Sequence, residues 1–197
     1  MREGSRVPGQ GRPAGVRVVG GRFRGRRLET LPGLDLRPTS DRVKEALFSA
    51  LGPFPAGARV VDCFAGTGAL GIEALSRGAE RVVFIDASRD SLNAARWNIE
   101  QTGFGDRAHA VLSKAESYLK KPSGPYDIVF LDPPYAEELQ PLLELVGAAG
   151  ILNPDSIVIA EHFKKQTSPE KAGSLSLFRE ARYGDTVLAF YALKENP

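Results

Sequence analysis

Asp132-Pro133-Pro134-Tyr135 follows an apolar run, Tyr126-Asp127-Ile128-Val129-Phe130-Leu131, that reads as a buried strand. A carboxylate, two stiff prolines and an aromatic ring therefore stand at the carboxyl end of a strand. Open α/β sheets place their ligands there. Successive prolines fix φ and remove backbone donors, which leaves nearby carbonyls to accept. The segment offers two acceptors, the Asp132 carboxylate and the Pro133 carbonyl, beside a ring that can stack. An exocyclic amine on a flat nucleobase offers two N–H donors and a π-face. That match points to chemistry on an amino group, methylation in particular.

A second constellation lies earlier. Val60-Val61-Asp62-Cys63-Phe64-Ala65-Gly66-Thr67-Gly68-Ala69-Leu70-Gly71 reads as a strand, a glycine-rich turn and a helix start. Gly66, Gly68 and Gly71 match G-x-G-x-x-G in the strand–turn–helix context that a nucleotide loop needs. Asp86 ends the next strand about 20 residues on, where an acid can accept from both ribose hydroxyls of an adenosine. NAD and S-adenosylmethionine both satisfy this geometry. Asp62, just before the loop, separates them. A carboxylate repels a pyrophosphate but favours a cationic amine and sulfonium. The reading is S-adenosylmethionine.

These residues need a scaffold. Strands are expected at Arg59–Asp62, Arg81–Asp86, Ala108–Leu112, Asp127–Leu131 and Ser156–Glu161. Helices are expected between them at Ala69–Arg77, Ser88–Thr102, Lys114–Lys120 and Glu137–Ala148. The alternation predicts a parallel sheet with crossover helices. Leu175–Arg182 and Thr186–Ala192 flank Tyr183-Gly184-Asp185 and predict a closing antiparallel hairpin. Ahead of this lie a short hairpin, Val16–Val19 with Arg26–Leu28, and a helix from Asp41 to Leu51 with Val43, Ala46, Leu47 and Ala50 on one face. The expected division is a basic Gly/Pro-rich tail over 1–15, a substrate-facing hairpin and helix over 16–52, and a cofactor-binding domain over 53–197.

The 197 residues are 42% apolar and 25% charged, an ordinary soluble composition. No apolar run approaches the roughly 20 residues of a membrane span, and the N-terminus lacks the apolar core of a secretory signal. One cysteine, Cys63, excludes an internal disulfide and fits a reducing cytoplasm. The net charge of +2 hides an asymmetry: residues 1–50 carry 11 basic against 5 acidic side chains, and residues 51–197 carry 15 against 19. A basic N-terminal part suits a polyanion partner as well as it suits a solvated tail. Alternation would place three of Arg22, Arg24, Arg26 and Arg27 on one hairpin face, where they could meet phosphates.

Asp62 to Gly71, Asp86 and Asp132 to Tyr135 resemble motifs of class I methyltransferases that modify exocyclic amines. Leu36-Arg37-Pro38-Thr39-Ser40-Asp41-Arg42-Val43-Lys44-Glu45-Ala46-Leu47-Phe48 is more specific. Together with Gly68-Ala69-Leu70-Gly71-Ile72-Glu73-Ala74-Leu75-Ser76-Arg77-Gly78 and Tyr183-Gly184-Asp185-Thr186, it resembles the bacterial RsmD family over about Val16 to Tyr191. The resemblance implies a Rossmann-like class I methyltransferase fold with a mostly parallel seven-stranded sheet. It also implies methyl transfer from S-adenosylmethionine to the N2 amine of one guanine in 16S ribosomal RNA. It further implies a cytoplasmic monomer acting on an assembling small subunit, with no metal and no membrane. The implied catalytic set is Asp132, Pro133, Pro134 and Tyr135. The cofactor set is Asp62, Ala65, Gly66, Gly68, Asp86, Ala115 and Thr39. The RNA set is Arg22, Arg24, Arg26, Arg37 and Arg42. Lys114 stands where many class I enzymes place an acid for the adenine amine, so Ser113 or a backbone carbonyl is expected to substitute.

Two other readings stay open at this point. DNA adenine-N6 methylation uses the same acceptors, and a non-catalytic RNA-binding protein could keep the scaffold. Protein glutamine methylation is disfavoured by Asp132, where Asn is usual. Cys63 and Trp97 read as core. Lys164-Lys165 reads as a solvated turn, and His109 and His162 have no metal-ligand spacing. His162 could at most line a pocket.

Overall fold

The computed structural model describes residues 16–30, 41–134 and 137–194. The tail over 1–15, and Arg37, Thr39 and Tyr135, lie outside the described residues. The elements are α1 (Asp41–Leu51), β1 (Arg59–Asp62), α2 (Ala69–Ser76), β2 (Arg81–Asp86), α3 (Arg89–Gln101), β3 (Ala108–Leu112) and α4 (Ala115–Leu119). They continue as β4 (Tyr126–Leu131), α5 (Leu139–Ala148), β5 (Leu152–Phe163), β6 (Lys171–Ala172), β7 (Leu175–Tyr183) and β8 (Thr186–Leu193).

One sheet runs β3-β2-β1-β4-β5-β8-β7-β6. Strands β1 to β5 are parallel to one another, and β8 enters antiparallel between β5 and β7. The sheet has eight strands rather than the seven expected, because the two-residue β6 pairs with the start of β7. Strand β5 is longer than expected. It reaches back to Leu152 across an irregularity opposite β4.

Alternation along each strand builds two cores. Val60, Val82, Phe84, Ile128 and Phe130 face α1, α2 and α3 on one side. Val61, Val83, Ile85, Val129 and Leu131 face α4 and α5 on the other. Val16, Val18, Leu28, Leu47 and Phe48 belong to the first cluster, so the N-terminal extension is buried on that face.

Three expectations are corrected. The extension is not a regular two-stranded ribbon. A single bridge, Arg17 to Arg27, is joined through a 3-10 turn at Gly21–Phe23, so the arginines do not alternate along a strand. The buried face of α1 is Val43, Lys44, Leu47, Phe48 and Leu51, while Ala46 and Ala50 are only half-buried. Trp97 is 50% exposed. Helix α3 turns Leu92, Ala95, Asn98 and Ile99 inward, and its small Ala95 lets it approach the glycine loop closely.

Candidate active site

Strand β1 lies between β2 and β4, so the strand order reverses beside it and opens a crevice at the carboxyl ends. Asp62 ends β1 and lies in register with Phe84 of β2 and Phe130 of β4. Asp86 and Asp132 stand two residues beyond those partners, about 6–7 Å further along the sheet. The Asp132 and Asp86 carboxylates both act electrostatically on Asp62, so the three acids lie close together. The sequence-predicted acids are thereby gathered at one crevice.

Asp62 is buried. Its Oδ2 accepts the Gly71 N–H at 3.2 Å, while Oδ1 has no hydrogen-bond partner among the described residues. Burial pushes its pKa up to about 7, and the Asp132 carboxylate adds to the rise, with a smaller contribution from Asp86. A buried anion of this kind is stabilised by a cation. The loop from Asp62 to Gly71 contains no Lys, Arg or His to supply one.

The loop itself is set by hydrogen bonds. Asp86 accepts the Gly66 N–H through Oδ2 at 2.8 Å and the Ser88 N–H through Oδ1 at 2.7 Å. Each oxygen keeps a second lone pair for a further donor. Gly66 has φ +53, and a side chain there would project into open space. Gly71 serves packing instead, since a Cβ would come within 2.2 Å of the Phe84 ring. Ala65 is buried at the loop start, and Ala115 is buried at the start of α4. Lys114 is exposed at the N-cap of α4, and Ser113 is tied to β2 through its N–H to the Asp86 carbonyl at 3.1 Å.

Past β4, Asp132 is half-buried, Pro133 buried and Pro134 exposed. The Pro134 carbonyl accepts the Glu137 N–H at 2.9 Å. Burial, with Glu116 nearby, raises the Glu137 acid. Arg22, Arg24, Arg26 and Arg42 are exposed. Arg26 reaches Gln101 at 3.5 Å.

His162 is a satisfied core residue rather than a pocket wall. Its Nε2 lies 2.8 Å from Ser168 Oγ and its Nδ1 3.0 Å from the Phe163 carbonyl. Cys63 is buried, and burial raises its thiol. Lys164 pairs with Asp185 at 2.6 Å. Among the described residues no group of three His, Cys, Asp or Glu side chains is arranged to hold a metal. No helix among them is long and apolar enough to cross a membrane. A cavity of about 140 Å³, lined by Arg59, Arg81, His109 and Tyr126, lies at the opposite, amino ends of the strands.

The sequence reading missed the polar residues that dock the extension. Glu73 is buried in α2, where Oε2 accepts the Val19 N–H at 2.7 Å and Oε1 accepts Arg77 Nε–H at 2.7 Å. Ser76 donates to the Gly20 carbonyl at 2.7 Å and accepts the Phe23 N–H at 2.9 Å. Lys44 is fully buried, donates to the Arg17 carbonyl and lies 3.5 Å from Asp41. Burial lowers its pKa. The signal available was a charged residue on an apolar helix stripe.

A parallel sheet with an antiparallel strand inserted near its end, a glycine loop after β1 and an Asp-Pro-Pro segment after β4 define the class I methyltransferase fold. The family model described as "Conserved hypothetical protein 95" matches residues 16–192. YlbH of Bacillus subtilis is 38% identical over 181 residues, covering 89% of this chain and 98% of that protein. The Ribosomal RNA small subunit methyltransferase D of Escherichia coli K12 is 36% identical over 177 residues, covering 89% of each. The solved structure of yhhF from Escherichia coli superposes with a TM-score of 0.82 at 36% identity, covering 92% of this chain and 99% of that one. The chain belongs to the RsmD family.

Proposed function

We propose that this protein transfers a methyl group from S-adenosylmethionine to the exocyclic N2 amine of a guanine in 16S ribosomal RNA. The observation that carries the reading is the three-acid crevice, with a buried Asp62 oxygen that has no hydrogen-bond partner among the described residues, beside a glycine loop whose sequence holds no cation. A small-subunit ribosomal RNA methyltransferase 36% identical over 89% of the chain supports the substrate class.

The donor set fits S-adenosylmethionine. Asp62 faces a positive group, Asp86 keeps acceptor capacity for ribose hydroxyls, and Gly66 leaves room for close approach. Ala65, Gly68, Ala115 and Thr39 are the further residues assigned to the cofactor. When bound, the cofactor supplies an electrophilic methyl carbon. The protein's own residues prepare the amine.

A guanine amine is a poor nucleophile because its lone pair is delocalised into the ring. Asp132 and the Pro133 carbonyl accept its two N–H bonds, which favours a pyramidal nitrogen with its lone pair free. The carboxylate also stabilises positive charge developing on nitrogen. Pro134 stiffens the segment, and Tyr135 stacks on the base. Positioning of this kind supplies on the order of 7–11 kcal/mol of the barrier. The basic arm, with exposed Arg22, Arg24 and Arg26 and with Arg37 and Arg42 further on, meets the RNA backbone.

The test is to incubate small-subunit particles, free 16S RNA and duplex DNA with methyl-labelled cofactor and map the label. Label on guanine N2 of 16S RNA is expected. Label on adenine in DNA, or none with any substrate, overturns the reading.

A further inference from the structure

Asn98 is 2% exposed in the last turn of α3, where a plain apolar residue would satisfy the packing. Asparagine is a weaker helix former than alanine or leucine, so the helix gains nothing from it. Its amide makes three bonds to two distant segments. Oδ1 accepts the Glu29 N–H at 2.7 Å. Nδ2 donates to the Glu29 carbonyl at 3.0 Å and to the Thr67 carbonyl at 2.9 Å. One partner is a donor and two are acceptors, so only one orientation of the amide satisfies all of them.

The two segments are the ones the proposed reaction must bring together. Glu29 follows Leu28 at the exit of the N-terminal arm, just before the segment that carries Arg37 and Thr39. Thr67 is the middle residue of the glycine loop. The Gly66 N–H is held by Asp86, and the Gly68 N–H returns to the Ala65 carbonyl at 2.7 Å. With the Thr67 carbonyl anchored on α3, the Thr67–Gly68 peptide plane is fixed between those two bonds.

We propose that Asn98 is a positioning residue that couples the RNA-facing arm to the cofactor loop. Ordering the loop orders the exit of the arm through one buried amide. By thermodynamic reciprocity, RNA held by the arm then tightens cofactor binding by the same factor. This rests on the reading that the loop holds S-adenosylmethionine and the arm faces RNA.

The first experiment uses the wild-type protein and S-adenosylhomocysteine. Calorimetry establishes binding, and hydrogen exchange follows the peptide spanning residues 26–30. The Glu29 amide, which lies outside the cofactor site, should exchange several-fold more slowly once the loop is filled. Binding without that slowing overturns the coupling. No binding at all overturns the cofactor reading instead.

The second experiment compares S-adenosylhomocysteine affinity with and without substrate RNA. The wild-type ratio should fall in the range of allosteric couplings, roughly 5- to 150-fold. It should drop toward 1 in Asn98→Ala and in Asn98→Asp, which cannot donate to Thr67. A merely structural role would weaken both affinities and leave the ratio unchanged. A wild-type ratio of 1, or wild-type ratios in both variants, overturns the proposal. Should the variants fail to fold, the wild-type exchange experiment decides alone.

Discussion

Asp62 ends β1 and Asp132 follows the end of the adjacent parallel strand β4, and the Asp132 carboxylate joins burial in lifting the Asp62 acid to about 7. The charge of Asp132 thus disfavours ionisation of Asp62. In the proposed reading a positively charged ligand offsets that effect, so charge selects the ligand at this loop.

Asp62 gives a pH signature. Its ordinary value is 3.8 and its folded value is about 7. The folded protein thus holds this proton more tightly than the unfolded chain does. That contribution to stability is complete below about pH 4 and is lost as the pH rises to 7. In thermal melts of the ligand-free protein, Asp62→Asn should gain on the wild type across that window. A constant difference from pH 4.5 to 8 would count against the assignment. Affinity for S-adenosylmethionine should rise through pH 7 in the wild type and stay flat in the variant.

Asp132→Ala removes the acceptor that the proposed mechanism aims at the reacting amine. Single-turnover methylation at saturating cofactor should fall on the order of 100-fold or more, by analogy with removing one preorganised electrostatic group. The same variant removes a charge that raises Asp62, so the Asp62 transition should move to lower pH. A near-normal rate would show that the Asp-Pro-Pro segment has been misread.

Asp86 holds the Gly66 N–H and is assigned to the ribose. Asp86→Ala should weaken S-adenosylhomocysteine binding by about 1–3 kcal/mol, the scale of lost hydrogen bonds to a charged group. Isothermal calorimetry measures it directly, and unchanged affinity would refute the role.

Arg22, Arg24 and Arg26 are exposed on the arm. Replacing all three with Ala should flatten the salt dependence of RNA binding through lost counterion release. Cofactor affinity at zero RNA should stay as it was. An identical salt slope would place the RNA surface elsewhere.

Gly71→Ala is a test of packing. The added Cβ would lie 2.2 Å from Phe84 Cε1 and 2.9 Å from Val82 Cγ1. Overpacking at such a site costs about 1–3 kcal/mol. Chemical denaturation should report that loss. A variant as stable as the wild type would mean that α2 shifts freely on the sheet.

The residues of the crevice were legible in the chain because they are local. A strand, a glycine turn and a helix start are contiguous from Val60 to Gly71, and Asp86 ends, and Asp132 directly follows, a strand whose apolar run announces it. Period-two and period-3.6 patterns gave the alternating sheet and helices within a residue or two at most ends. The added strand β6 was not legible, since two residues carry no periodicity. Nor was the exposure of Trp97, because an aromatic on a helix reads as core until the sheet fixes which face turns inward. The arginines of the arm gave the charge but not the 3-10 turn, which Gly20 and Gly21 settle by packing against Arg77 and Ser76.

By itself, the sequence determined the element types, the glycine loop and the acids at the strand ends, since each depends on neighbours along the chain. Only the tertiary structure decided that Asp62, Asp86 and Asp132 meet at one crevice, that the charges of Asp132 and Asp86 add to the rise at Asp62, that Glu73 and Ser76 dock the arm on α2, and that Asn98 ties its exit to the loop. Those relations join residues up to about 70 positions apart. They come from strand order and burial, which no local spacing encodes.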